Sequence, residues 1–386
     1  MPLLLFLLAL SASAQPLPRL AHAGFSLTRD NGALRIALIR PGSPAALAGL
    51  QPGDVLLTGT PALLRRPHGE VLPRPVRRAT QTLTVTLRYL APPKEAQPDF
   101  DIEYAAVEVD SHRRRAIITT PRNRQNPPVV LWLPGSGCTT IESPSATSPE
   151  TQLLYALTRV GYKTVRVEKS GIGDSEGPPC YSAEASLALD VRAYAAAIAQ
   201  LRPAKIFLFG HSAGATLAPL VLQAAGKVEG VILAGGMGTG FRQYVLDMRR
   251  RELERTGQPV APEMAIHTRC LDALLLQNQS PDAIEAAMPD CRRRVRFDSH
   301  PAYIAHWAKL DIAKEWRAAP QLPVLVLHGT ADQVTSQSQS ESLARHIPLA
   351  RLEILQMDHD LHHEKTPGKL DPRALQASLH FLRGRN

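Results

Sequence analysis

Chemistry in this chain is suggested first by "IFLFGHSAGATLAPL", which holds Gly210-His211-Ser212-Ala213-Gly214. A serine hydroxyl is a poor nucleophile; it attacks a carbonyl only when a base takes its proton and a carboxylate orients that base. The pattern G-x-S-x-G is weak alone, because Gly and Ser favour turns for reasons unrelated to catalysis. It gains meaning between a strand and a helix, where a sharp turn thrusts the serine out above a sheet. Here "KIFLFG" reads as the strand and "AGATLAPLVLQAAG" as a helix ending at Gly226. The acid and the base should then follow in the order Asp, His. "LVLHGTADQVT" supplies Asp332 after one strand, and "LEILQMDHDLHH" supplies His359 after the next. His362 and His363 compete as bases, and Glu353 competes as the acid. An oxyanion would need two backbone donors. The Ala213 amide is one, and the loop "LPGSGC" offers Ser136, with Gly137 next, as the other.

The elements that must hold these residues alternate between apolar strands and helical stretches, which implies βαβ units and a largely parallel sheet. "DIEYAAVEVD" and "RRAIITTPR" read as an opening hairpin. Strands follow at 128–135, 162–171, 205–210, 228–236, 322–329 and 351–358, with a helix over 182–201. Together with the serine turn, this pattern resembles the α/β-hydrolase family from about residue 99 to 386. "GIGDSEGPPC" is similar to a loop of its lipase-, esterase- and aminopeptidase-like branch. Asp174 and Ser175 are expected to hold that loop by local hydrogen bonds. The resemblance implies that residues 237–320, three helical stretches without a strand pattern, form a lid. Its Arg249–Arg251 and Arg292–Arg294 runs, with Trp307 and Trp316, read as a solvated face more than as a site for an acidic substrate.

Residues 17–90 read instead as short strands between Gly and Pro breaks. "PGSPAALAGLQPGDVLLTG" resembles the bacterial PDZ family, and "HAGFSL" matches the loop that captures a peptide C-terminus there. The resemblance implies carboxylate-binding amides at Ala23, Gly24 and Phe25, Gly24 allowing close backbone approach. Pro61, Pro67, Pro73 and Pro75 disfavour the helix that walls the family's groove. Residues 91–98, Pro-rich and polar, mark a linker.

Composition limits the alternatives. A net charge of +9 comes with only 5% aromatic residues and no nucleic-acid module, so nucleic-acid binding is not expected. Residues 1–14 read as a signal peptide, an apolar run followed by Ala-Ser-Ala, and no other stretch is long and apolar enough to span a bilayer. An exported protein, periplasmic or extracellular, is expected. Four cysteines suit that setting. Cys138 and Cys180 follow strands at one end of the sheet, and Cys270 and Cys291 share the helical insertion, so those two pairs are expected. No C-x-x-C suggests a metal, and no cofactor is expected. The leading reading is a serine hydrolase cleaving carboxylic esters through an acyl-enzyme. A peptidase aided by the PDZ-like module and a non-catalytic peptide-binding protein are the alternatives.

Overall fold

The structure, a computed structural model, describes residues 17–30, 33–57, 65–143, 146–297 and 299–384. The expected signal segment lies outside them.

The N-terminal unit contains β1 (Leu20–His22), β2 (Phe25–Asp30), β3 (Ala33–Ile39), α1 (Pro44–Leu47), β4 (Val55–Leu56), β5 (Arg65–Pro67), β6 (Val71–Arg78) and β7 (Gln81–Arg88). Five of the strands form an antiparallel sheet in the order β2-β3-β4-β6-β7, and β1 pairs with β5. Ser43 caps α1 by accepting from the Ala46 amide, and Pro44 follows at the first helical position, where its missing N–H costs nothing. Much of the proline-bearing segment is strand. Pro75 offers its carbonyl to Leu57, so its ring nitrogen faces the side where β4 pairs only with Val76 and Arg77, and the ladder to β7 stays intact. Packing by itself already requires a glycine at position 24. A Cβ there would overlap Ser43, and the Gly24 carbonyl already accepts from the Arg40 amide, so the glycine lets the chain pack on its own helix cap.

The larger unit opens with the hairpin β8 (Phe100–Val109) and β9 (His112–Pro121). Then follow β10 (Val129–Leu133), α2 (Pro149–Arg159), β11 (Lys163–Val167), α3 (Leu187–Leu201), β12 (Ile206–His211), α4 (Ala213–Ala225) and β13 (Gly230–Ala234). The insertion holds α5 (Phe241–Thr256), α6 (Val260–Leu275), α7 (Pro281–Ala287), α8 (Pro301–Ala308) and α9 (Ile312–Ala318). The chain closes with β14 (Val324–Gly329), α10 (Gln337–His346), β15 (Ala350–Leu355), β16 (His362–His363), β17 (Thr366–Leu370) and α11 (Pro372–Arg383). Eight described strands make one sheet in the order β15-β14-β13-β12-β10-β11-β9-β8, parallel except at the hairpin. Strands β10, β12, β13 and β14 are apolar on both faces because both are covered. Val231, Leu233 and Leu208 face α3, α4 and the insertion, while Ile232, Phe207 and Phe209 face α2 and α11. After β10 the chain adds β11 on one side and then β12 on the other. Such a reversal opens a crevice at the carboxyl ends of the strands, where α/β sheets bind ligands.

Residues 91–98 are fastened to the larger unit. The Glu95 carboxylate, fully buried, pairs with Arg166 at 2.6 Å and accepts from the Ser143 amide and the Tyr155 hydroxyl. Asp174 and Ser175 also act over long range, which corrects the expectation of local bonds. Asp174 accepts from Arg115, from Arg19 and from the Leu20 amide, each at 2.8 Å, and Ser175 accepts from the Arg115 amide. Arg115, 2% exposed, lies at the centre of this joint with Glu142, Glu168 and Asp174 around it. A buried guanidinium is tolerated only with such compensation.

Candidate active site

Ser212 stands between β12 and α4 with φ 51° and ψ −115°, a left-handed conformation that costs a non-glycine residue on the order of 1–3 kcal/mol. Its neighbours allow it. A Cβ on Gly210 would come within 2.7 Å of the Ala215 Cα, and one on Gly214 would overlap the Leu133 carbonyl, so both glycines of G-x-S-x-G are sterically required. The Ser212 amide donates to the Ala234 carbonyl at 2.7 Å. Ser212 occupies the N-cap position of α4, yet its hydroxyl makes no capping bond, unlike Ser148 and Ser186 at α2 and α3. The hydroxyl is thus left free at a helix N-terminus, whose partial positive charge favours a negative oxygen.

His359 and Asp332 meet across 27 residues. Nδ1 of His359 lies 2.9 Å from Oδ2 of Asp332, whose other oxygen accepts from the amides of Val334 and Thr335. Burial alone would raise the Asp332 carboxyl, but the hydrogen bond and charge of His359, with the two amides, outweigh it and hold it below its usual range. An ionised Asp332 fixes the tautomer with the proton on Nδ1, leaving Nε2 as the basic position. Gly235, with φ 66°, lies against this ring, where a Cβ would come within 2.7 Å of Cε1. His211 lies half-buried beside it, with Nε2 2.8 Å from the His359 carbonyl. Burial first and the neighbouring His359 second push His211 down to about 4, so it is neutral near pH 7.

The competing residues lie elsewhere. His362 pairs with Asp358, His363 accepts from the Lys365 amide on the β16–β17 hairpin, and Glu353 pairs with Arg351 on β15. None lines the cavities that contain Ser212.

The loop after β10 faces Ser212, and three devices hold it. Cys138 is bonded to Cys180, and Cys270 to Cys291, matching both expected pairs. The Gly137 amide donates to the Tyr181 hydroxyl and is so taken up inside the protein. Lys169 donates from Nζ to the carbonyls of Gly135 at 2.6 Å and Gly137 at 3.3 Å. Burial pushes its ammonium below the ordinary lysine range, with Asp190 opposing. The carbonyls on either side of Ser136 are thereby turned toward Lys169. The Ser136 and Ala213 amides have no protein acceptor among the described residues. Lys169 carries no local signal in "VRVEKSG", because its partners are 32 and 34 residues away.

Two cavities meet at Ser212. One of about 410 Å³ is polar and contains His359, Gly135 to Gly137, Thr139, Thr140, Glu150, Lys169 and Asp360. The other, of about 300 Å³, lies under the insertion and is walled by Met237, Phe241, Val245, Tyr303, Ile304 and Trp307. None of the six expected lid arginines lines either one. Arg249 pairs with Glu252 and Glu263, Arg294 with Glu263, and Arg251 reaches the Asp332 carbonyl. Trp316 is packed in the core beside α4. Among the described residues no His, Cys, Asp and Glu cluster could hold a metal, and no helix is long and apolar enough to cross a membrane.

Comparison with known proteins agrees with this architecture. The structure is similar to that of VinJ (18% identity, TM-score 0.51, covering 74% of this chain and 99% of that one). It is similar to proline iminopeptidase of Mycobacterium smegmatis (16% identity, TM-score 0.50, 73% and 98% covered). Est1E of Butyrivibrio proteoclasticus with ferulic acid bound also matches (14% identity, TM-score 0.49, 72% and 98% covered). No curated protein matches in sequence. The family described as serine aminopeptidase, S33, matches residues 149–366, a span that includes Ser212, Asp332 and His359. With more than half of its residues so matched, the chain belongs to that family of α/β-hydrolases.

Proposed function

We propose that the protein is a serine hydrolase that cleaves carboxylic esters, with Ser212 as nucleophile, His359 as proton carrier and Asp332 as the acid that orients it. The observation carrying this reading is the His359–Asp332 hydrogen bond at the wall of the cavity that the uncapped Ser212 hydroxyl lines. Ser212 Oγ bonds to the acyl carbon as His359 Nε2 takes its proton, and the amides of Ala213 and Ser136 hold the oxyanion. His359 returns the proton to the departing alkoxide oxygen as the C–O bond breaks, leaving an acyl-serine. Water then attacks that ester with His359 as base, releasing the acid and restoring Ser212. The family's description favours a second reading, peptide-bond cleavage, for which the same groups suffice.

Two disulfides favour an oxidising compartment, and we read the protein as exported. For the N-terminal unit we keep the PDZ-like reading as a proposal: β2 is an edge strand, open to pairing with a peptide whose C-terminus would meet the backbone at Ala23, Gly24 and Phe25.

A fluorophosphonate probe, followed by a panel of acyl esters and peptide amides, tests the enzyme reading. Labelling of the wild type and its loss in Ser212→Ala are expected. An unlabelled wild type, or equal labelling of both, would sink it.

A further inference from the structure

The two cavities meeting at Ser212 differ in chemistry, and the position of His359 tells which receives which half of a substrate. The base that accepts the serine proton must deliver it to the leaving atom, so the leaving group lies on the His359 side. His359 lines the polar cavity and is absent from the wall of the apolar one. The acyl group therefore enters the apolar cavity, beside Ala213 and Ser136.

The walls set what each compartment accepts. The acyl compartment is formed by Phe241, Val245, Tyr303, Ile304 and Trp307, of which the last four are at most 8% exposed. Its volume of about 300 Å³ is twice the roughly 150 Å³ that suffices for one benzene ring in a dry protein cavity. One ring on a short arm fits, and an acetyl group would leave most of this apolar surface without contacts.

In the polar compartment both cations are already engaged: Lys169 with the Gly135 and Gly137 carbonyls, and Arg166 with Glu95. The groups left over are acceptors. Glu150 and Asp360 have no cationic partner among the described residues, and Thr139 lines the same cavity, whereas the Thr140 hydroxyl already accepts from Arg115 and the Glu142 amide. Two unpaired carboxylates repel an anionic leaving group and receive hydrogen bonds from hydroxyls or an ammonium.

The geometry points to an ester joining an aromatic, short-armed acid to an alcohol that carries hydrogen-bond donors, bound with the ring under the insertion and the alcohol against Glu150. This assignment rests on the serine hydrolase reading above and deepens it.

Four esters test it: the 4-nitrophenyl esters of acetic and 3-phenylpropanoic acids, and the methyl and glyceryl esters of 3-phenylpropanoic acid. In the wild type, kcat/KM is expected to favour phenylpropanoyl over acetyl by more than tenfold, and glyceryl over methyl by more than fivefold. Val245→Phe fills the apolar cavity and should cut the first ratio by tenfold or more. Met248→Trp intrudes on the same cavity from an exposed position, so it gives the same reading if the Val245 variant misfolds. Glu150→Gln should cut the second ratio at least threefold, with the first unmoved. Ser212 labelled by fluorophosphonate but acetyl preferred, glyceryl not preferred, or either ratio unmoved by its variants would overturn the assignment while the hydrolase reading stood. An unlabelled Ser212 would overturn both.

Discussion

Replacing Lys169 with Met separates the roles of a buried cation in stability and in turnover. Methionine keeps the length of the side chain and removes the two hydrogen bonds from Nζ to Gly135 and Gly137. Charged hydrogen bonds of this kind contribute roughly 1.5–3 kcal/mol each, but the variant also avoids burying an ammonium, which costs several kcal/mol. The lysine's lowered pKa gives the sign: below its ordinary range the unfolded chain binds the extra proton, so burial opposes folding near pH 7. The two effects offset, and Tm should move by no more than about 4 °C in either direction. Turnover has no such offset. Loss of a whole oxyanion donor costs roughly 10²- to 10³-fold in kcat. The Ser136 loop keeps its disulfide and its Tyr181 contact, so a smaller fall of about 10- to 100-fold is expected, with KM changed less than threefold. Steady-state ester hydrolysis and a thermal melt read both quantities. A kcat within threefold of wild type, or a rise in KM alone, would show that the loop does not need the cation.

Asp332→Asn should lower kcat by roughly 10³- to 10⁴-fold with the fold intact, because the amide nitrogen would face His359 Nδ1 and favour the wrong tautomer; circular dichroism beside kinetics checks this, and a loss under tenfold refutes it. Gly214→Ala drives a methyl into the Leu133 carbonyl and should cost about 3 kcal/mol or more in urea unfolding, against the few tenths expected of an unhindered helical site. Glu95→Gln leaves Arg166, 1% exposed, without its carboxylate and should cost about 3–5 kcal/mol by the same assay. His211, held down to about 4 against an ordinary 6.5, contributes stability that is complete above pH 6.5 and lost as pH falls toward 4, on the order of 3 kcal/mol. Urea midpoints across that window should fall less steeply in His211→Gln, and an unchanged slope would contradict it.

What the sequence made legible follows from how local each signal is. Strands such as "VVLWL" and "VLVLHG" are apolar throughout because both faces are covered, and a short run announces that. The residues around Ser212 were readable from the order of strand ends, since the fold delivers each loop to one edge of the sheet. Helix α6, with Pro262 in its first turn, and the two-residue β16 carry little pattern and were not foreseen. The helix expected over 182–201 begins at Leu187, where Ser186 caps it. Lys169, Tyr181 and Asp174 were obscure for one reason: their partners are 32 to 155 residues away, and no spacing rule spans that distance. Gly24 is a further case: its close packing against Ser43, 19 residues on, has no local signature.

The joint around Arg115 also sets a timetable. Arg19 and Leu20 leave the ribosome 155 and 154 residues ahead of their partner Asp174, and Arg19 is 123 ahead of Glu142. At synthesis rates of about 5–20 residues per second, the N-terminal strands wait roughly 8–30 s for the surface they dock on. Until then Leu20 presents an unpaired amide and Arg19 an unneutralised charge, so the first segment made is among the last secured. Cutting the gene at residue 99 to obtain a smaller enzyme would leave Glu142 and Asp174 with Arg115 as their one remaining guanidinium, at the back of the loop that carries Ser136.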